Sequence, residues 1–109
     1  RDWRARRSEL RREVGASEDE ILIGLVGRLT EIKNHRLYLE AARLYRERRR
    51  AGDPSLRFLV IGDGHLRASL EEQAHELDVG DSVVFLGNRS DTNVFYPGLD
   101  VVALTSLNE

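Results

Sequence analysis

One loop concentrates the residue types that could grip a phosphorylated ligand: Gly27-Arg28-Leu29-Thr30-Glu31-Ile32-Lys33-Asn34-His35. A diphosphate is recognised by a planar guanidinium fork and a compact ammonium charge, and Arg28 and Lys33 supply one of each. The helix start behind them adds the positive end of its dipole. Lys33 is the only lysine in a chain whose other Lys/Arg positions are all arginine. That single exception falls in the candidate phosphate loop. The competing reading is that both are ordinary surface cations.

Three further loops carry polar groups. Gly62-Asp63-Gly64-His65 can turn tightly and offer free backbone N–H groups to a phosphate or sugar, although strand-to-helix turns use the same residues for geometry alone. Gly87-Asn88-Arg89-Ser90-Asp91 has Asp91 placed as a helix N-cap. Thr105-Ser106-Leu107-Asn108-Glu109 ends with two hydroxyls and a carboxylate at its edges. No G-x-G-x-x-G follows the first apolar run and no P-loop is present, so dinucleotide and Walker-type binding lose their support. The histidines, His35, His65 and His75, have no carboxylate partner at metal-ligand spacing, which predicts no metal site and no cofactor.

The elements that must position these loops are legible as apolar runs. Ile21–Gly27, Leu56–Gly62, Val83–Gly87 and Val101–Leu104 are near-continuous, as strands buried on both faces are. Helical spacing between them predicts a helix with Leu37, Ala41, Leu44 and Arg48 on one stripe, Asn34 as its N-cap and Gly52 as its stop. A second helix carries Leu66, Leu70, Ala74 and Leu77. A third, short one spans Asp91 to Tyr96 and is closed by Pro97-Gly98. A leading helix from about Asp2 to Val14, with a linker to residue 20, precedes the first strand. The order αβαβαβαβ predicts an α/β fold, a Rossmann-like doubly wound parallel sheet. In such sheets ligands sit outside the carboxyl ends of the strands, where all four polar loops lie.

Composition bounds the function. The chain has 109 residues, the size of one domain, with 40% hydrophobic and 33% charged residues and a formal net charge of -2. That charge gives no general attraction to nucleic acid or anionic membranes. The arginines at positions 1, 4, 6, 7, 11 and 12 are interleaved with Asp2, Glu9 and Glu13, which predicts a solvated helix face and no nucleic-acid partner. No apolar stretch is long enough to cross a bilayer and no signal peptide is visible, so a cytoplasmic location is expected. The chain has no Cys, which excludes disulfides and thiolate metal sites. It also has no Met and stops soon after its last apolar run, which reads as a partial domain.

In order and spacing, these pieces resemble the C-terminal domain of the glycosyltransferase group 1 family, of GT-B architecture, which includes glycogen and sucrose synthases. The matching pieces are Val26-Gly27-Arg28-Leu29 with Lys33-Asn34-His35, then Val60-Ile61-Gly62-Asp63-Gly64. Val84-Phe85-Leu86-Gly87, Asp100-Val101 and Ser106-Leu107-Asn108-Glu109 follow. The resemblance implies the donor-binding part of a retaining, nucleotide-sugar-dependent hexosyltransferase, inactive alone. It uses a UDP, GDP or ADP sugar and an acceptor that the sequence does not identify, with membrane contact only through a missing domain. It implies that Arg28 and Lys33 grip the diphosphate from beside Gly27, and that Gly62, Asp63 and Gly64 line the donor pocket. Asn88 and Arg89 meet the nucleobase through their backbone, with Asp91 nearby, and Ser106 is a further donor-binding residue. Glu109 matches the first Glu of the family's E-x7-E signature, which contacts the transferred sugar. His65 departs from the Pro usual at that place. A nucleotide-sugar epimerase of the same architecture and a non-catalytic α/β interaction module are the alternative readings.

Overall fold

The computed structural model describes residues 3–106. Along the chain run α1 (Trp3–Glu13), β1 (Ile21–Val26), a 3-10 turn (Glu31–Lys33), α2 (His35–Arg48), β2 (Leu56–Ile61), α3 (Arg67–Glu76), β3 (Val83–Gly87), α4 (Thr92–Gly98) and β4 (Val101–Val102). The expected order holds. The strands form one parallel sheet in the order β3-β2-β1-β4.

Side chains alternate across the sheet, so each strand feeds two cores. On one face Leu25, Phe58 and Val60 meet Tyr38, Leu39 and Ala42 of α2 and Leu70 and Ala74 of α3. On the other, Leu22, Leu59 and Ile61 meet Leu10 and Val14 at the α1 end and Phe95 of α4. The sheet is covered on both sides over β1 and β2 and in part over β3, as near-continuous apolar strands require. The last run, Val101–Leu104, departs from that pattern: β4 is two residues long at the sheet's edge, with Val101 48% and Val102 51% exposed. The chain leaves β1 for β2 on one side and returns through α4 to place β4 on the other. That reversal puts a crevice between the carboxyl ends of β1 and β4.

Three expectations are corrected. In α2 the buried stripe is His35, Tyr38, Leu39 and Ala42, whereas Leu37 is 53% exposed and Leu44 37%. Counting only aliphatic residues misplaces the face, because a histidine and a tyrosine take core positions. The Tyr38 hydroxyl is tolerated there because it is shared between the carbonyl oxygens of Ile23 (3.0 Å) and Leu59 (2.9 Å). Burial pushes its phenol pKa well up. The α1 arginines are not all a solvated face either. Arg11 is buried and donates to the carbonyls of Ser17 (2.7 Å) and Glu20 and to Asp100 (3.2 Å). Asp100 also accepts from Arg7 (2.7 Å) and from the Leu22 N–H (2.8 Å), which fastens α1 and the start of β4 to β1. Finally, neither Asn34 nor Asp91 caps its helix through its side chain. Asn34 turns in the left-handed region (φ 56°), and the Asp91 carboxylate is taken by Arg89 two residues before it.

Candidate donor site at the carboxyl edge

The carboxyl edge of the sheet carries a row of glycines. Gly27 follows β1, Gly62 follows β2 and Gly87 ends β3, with φ of 147°, 141° and 74°. These backbone conformations disfavour any side chain. The space above them is used. A Cβ on Gly27 would lie 3.4 Å from Lys33 Cε and 3.9 Å from its Nζ, so the ammonium lies over the end of β1. A Cβ on Gly87 would lie 3.3 Å from Arg67 Nη1. Glycine at these two places leaves room for cationic side chains over the sheet's edge.

Gly62 and Gly64 also have a packing role. A Cβ on Gly62 would stand 2.0 Å from the Gly27 carbonyl oxygen, and one on Gly64 2.7 Å from that of Leu29. Their missing side chains let the second loop interlock with the backbone of the first. The Leu29 N–H donates to Asp63 O (3.1 Å), and the Gly62 N–H to Gly87 O (2.8 Å). The two loops are therefore tied to each other through their backbones.

Arg28 is exposed at the start of the first loop and lies close enough to Asp63 to act on it electrostatically. The N–H of Gly64 (2.9 Å), the Arg67 guanidinium (3.1 Å) and the field of Arg28 hold the Asp63 carboxyl below its ordinary range. Asp63 is thus a carboxylate whose charge is partly countered from both sides. Arg28, Lys33, Gly27, Gly62, Asp63 and Gly64 all lie in the two loops that follow β1 and β2, at the rim of the sheet's carboxyl edge.

Asn88, Arg89 and Asp91 sit beyond the end of β3, and the Arg89 side chain turns away from the rim. It pairs with Asp91 and with Glu13 of α1, and these carboxylates drive its already high pKa further up. Ligand contacts from this loop are left to its backbone and to the exposed Asn88 and Ser90. Ser106 is half-buried beside Thr105, across the crevice from Lys33. Glu109 lies outside the described residues.

Three further residues take places here that sequence spacing alone does not show. Arg67 was inside a helix, although its place four residues after Asp63 permits the pair that forms. Thr105 donates to the carbonyl of Lys33 at 2.6 Å, a contact between residues 72 positions apart with no local signature. His35 is only 2% exposed, with neither ring nitrogen hydrogen-bonded to a described residue, and burial lowers its pKa. It lines a depression of about 220 Å³ behind the first loop, with Thr30, Glu31, Asn34, Leu66 and Leu70. A depression of about 240 Å³ lies at the opposite pole, near Tyr45, Ser55 and Ser82, at the amino ends of β2 and β3. Among the described residues no group of His, Asp and Glu is arranged to hold a metal ion. No helix among them is long and apolar enough to cross a membrane.

Residues 6–109 match the family described as glycosyl transferases group 1. The chain belongs to that family. It is 37% identical over 106 residues to the D-inositol 3-phosphate glycosyltransferase of Corynebacterium urealyticum, covering 91% of the chain and 24% of that protein. An uncharacterized glycosyltransferase of Methanocaldococcus jannaschii is 35% identical over 101 residues, covering 91% of the chain and 25% of that protein. The chain therefore spans about a quarter of the length of these relatives. Among solved structures, Anabaena HepE in complex with UDP-glucose superposes with a TM-score of 0.77 at 25% identity, covering 94% of this chain and 27% of that one. WaaG, a glycosyltransferase involved in lipopolysaccharide biosynthesis, superposes with a TM-score of 0.76 at 22% identity, covering 95% and 27%. The α/β architecture of this group 1 chain is thus that of GT-B glycosyltransferases.

Proposed function

We propose that this group 1 chain is the donor-binding part of a retaining glycosyltransferase that transfers a sugar from a nucleoside diphosphate sugar to an acceptor. The observation that carries the reading is Lys33 over the glycine that follows β1, with Arg28 next to that glycine in the chain and within electrostatic reach of Asp63, at the edge where the sheet reverses direction. The solved complex of HepE with UDP-glucose supports a donor of that class.

In this reading Arg28 and Lys33 hold the diphosphate. Cleavage of the sugar–phosphate bond builds negative charge on the departing oxygen, so fixed cations there favour the transition state over the ground state. A unit charge pair at about 4 Å is worth about 4 kcal/mol at an effective dielectric of 20, and less at this partly solvated edge. The backbone of Gly62 to Gly64 walls the donor pocket, and that of Asn88 and Arg89 meets the base. Ser106 and Glu109 face the sugar. Glu109 is assigned from the family signature alone.

The test is titration of the chain with UDP, GDP and ADP, following amide shifts. The expected binding is in the millimolar range, with shifts at Arg28, Lys33 and Gly62. Replacing both Arg28 and Lys33 by Ala should weaken it at least tenfold, about 1.4 kcal/mol. Silence of those amides in a folded chain, or unchanged affinity in the double variant, refutes the assignment.

A further inference from the structure

A long-range side-chain contact links the segment after β4 to the loop after β1. Beyond β4 the Ala103 N–H still donates to Gly24 O (2.8 Å), so the chain stays in register with β1 up to that point. Two residues later the Thr105 hydroxyl reaches the Lys33 carbonyl oxygen at 2.6 Å. That carbonyl stands at the junction of the 3-10 turn and α2, where Asn34 takes its left-handed conformation. The first N–H of α2 to bond back, that of Leu37, goes to the Asn34 carbonyl (3.1 Å), so the Lys33 carbonyl one residue earlier takes its donor from the Thr105 hydroxyl.

We propose that Thr105 is a positioning residue of the donor site. Its hydroxyl fixes the peptide of Lys33 and so sets where the ammonium stands over Gly27. It also locks the segment after β4, with Ser106, to the opposite wall of the crevice. The functional half of this proposal rests on the donor-binding reading. The hydrogen bond itself does not.

The pair of variants Thr105→Val and Thr105→Ser in the whole chain tests it, since valine keeps the shape and serine keeps the donor. Thr105→Val should move the Lys33 carbonyl carbon resonance and speed amide exchange over residues 30–35. It should weaken UDP binding about three- to tenfold, the range one net hydrogen bond is worth. Thr105→Ser should restore all three. An unmoved Lys33 carbonyl in Thr105→Val overturns the link. A moved carbonyl with unchanged UDP affinity makes the contact purely structural and overturns the positioning role. Failure of the unsubstituted chain to bind UDP, GDP or ADP removes the donor reading and the functional half with it, while the carbonyl shift still decides the bond. If the valine variant does not fold, Thr105→Ala is read by the same signals.

Discussion

Replacing Gly62 by alanine probes the interlock on which the whole rim depends. Its new Cβ would stand 2.0 Å from the Gly27 carbonyl oxygen, and Gly62 has φ of 141°. Neither loop can yield easily. The Gly27 N–H is tied to Ile61 O (3.0 Å), and the Gly62 N–H to Gly87 O (2.8 Å). Overpacking costs about 1–3 kcal/mol and the strained backbone a further 1–3 or so, giving about 2–6 kcal/mol together. Against a total stability of about 5–15 kcal/mol, that change is large. Two other glycines separate the contributions. Gly52 has φ of 94° with nothing within 4 Å of a Cβ, so its alanine variant carries the backbone strain alone. Gly80 also has open space and no left-handed φ, so Gly80→Ala should be neutral or stabilise by about 0.4–1 kcal/mol through the unfolded chain. Urea unfolding with linear extrapolation ranks all three. Indistinguishable losses for Gly62→Ala and Gly52→Ala would show that the loops do not interlock.

Two further outcomes concern ion pairs and pH. Asp100→Ala strips the buried Arg11, and the Leu22 N–H, of their shared carboxylate and should lower stability by about 2–3 kcal/mol; an unchanged urea midpoint would mean α1 is fastened by apolar contacts alone. Burial opposes ionisation of Asp100, yet the Leu22 N–H and both arginines keep its carboxyl below the ordinary range, so its stabilisation is lost only as the pH falls through that lowered value. His35 acts in a different window. Burial, helped by Lys33, lowers its pKa, so below about 6.5 the unfolded chain takes up a proton that the folded one refuses, and stability should fall from pH 7 towards pH 5. Urea midpoints across that range should flatten in His35→Leu; an unaltered slope would assign the effect elsewhere.

What the sequence determined by itself is the alternation of apolar runs with helical segments, and with it the parallel sheet and the edge at which the four polar loops gather. Strand burial on both faces leaves a continuous apolar signature, and Gly27, Gly62 and Gly87 mark the strand ends because only glycine tolerates their backbone. The face of α2 was not legible, since His35 and Tyr38 are polar by type and buried by context. Nor was the fate of Arg11 and Arg89: an arginine looks solvated until a partner, Asp100 for one and Glu13 for the other, is brought to it from a distant position. Tertiary structure alone decided the role of Gly62 and Gly64, whose open sides face the Gly27 and Leu29 carbonyls, and the reach of Thr105 to Lys33. Local spacing encodes which element forms. Which groups meet across the crevice depends on the strand order, β3-β2-β1-β4, which no short stretch of sequence contains.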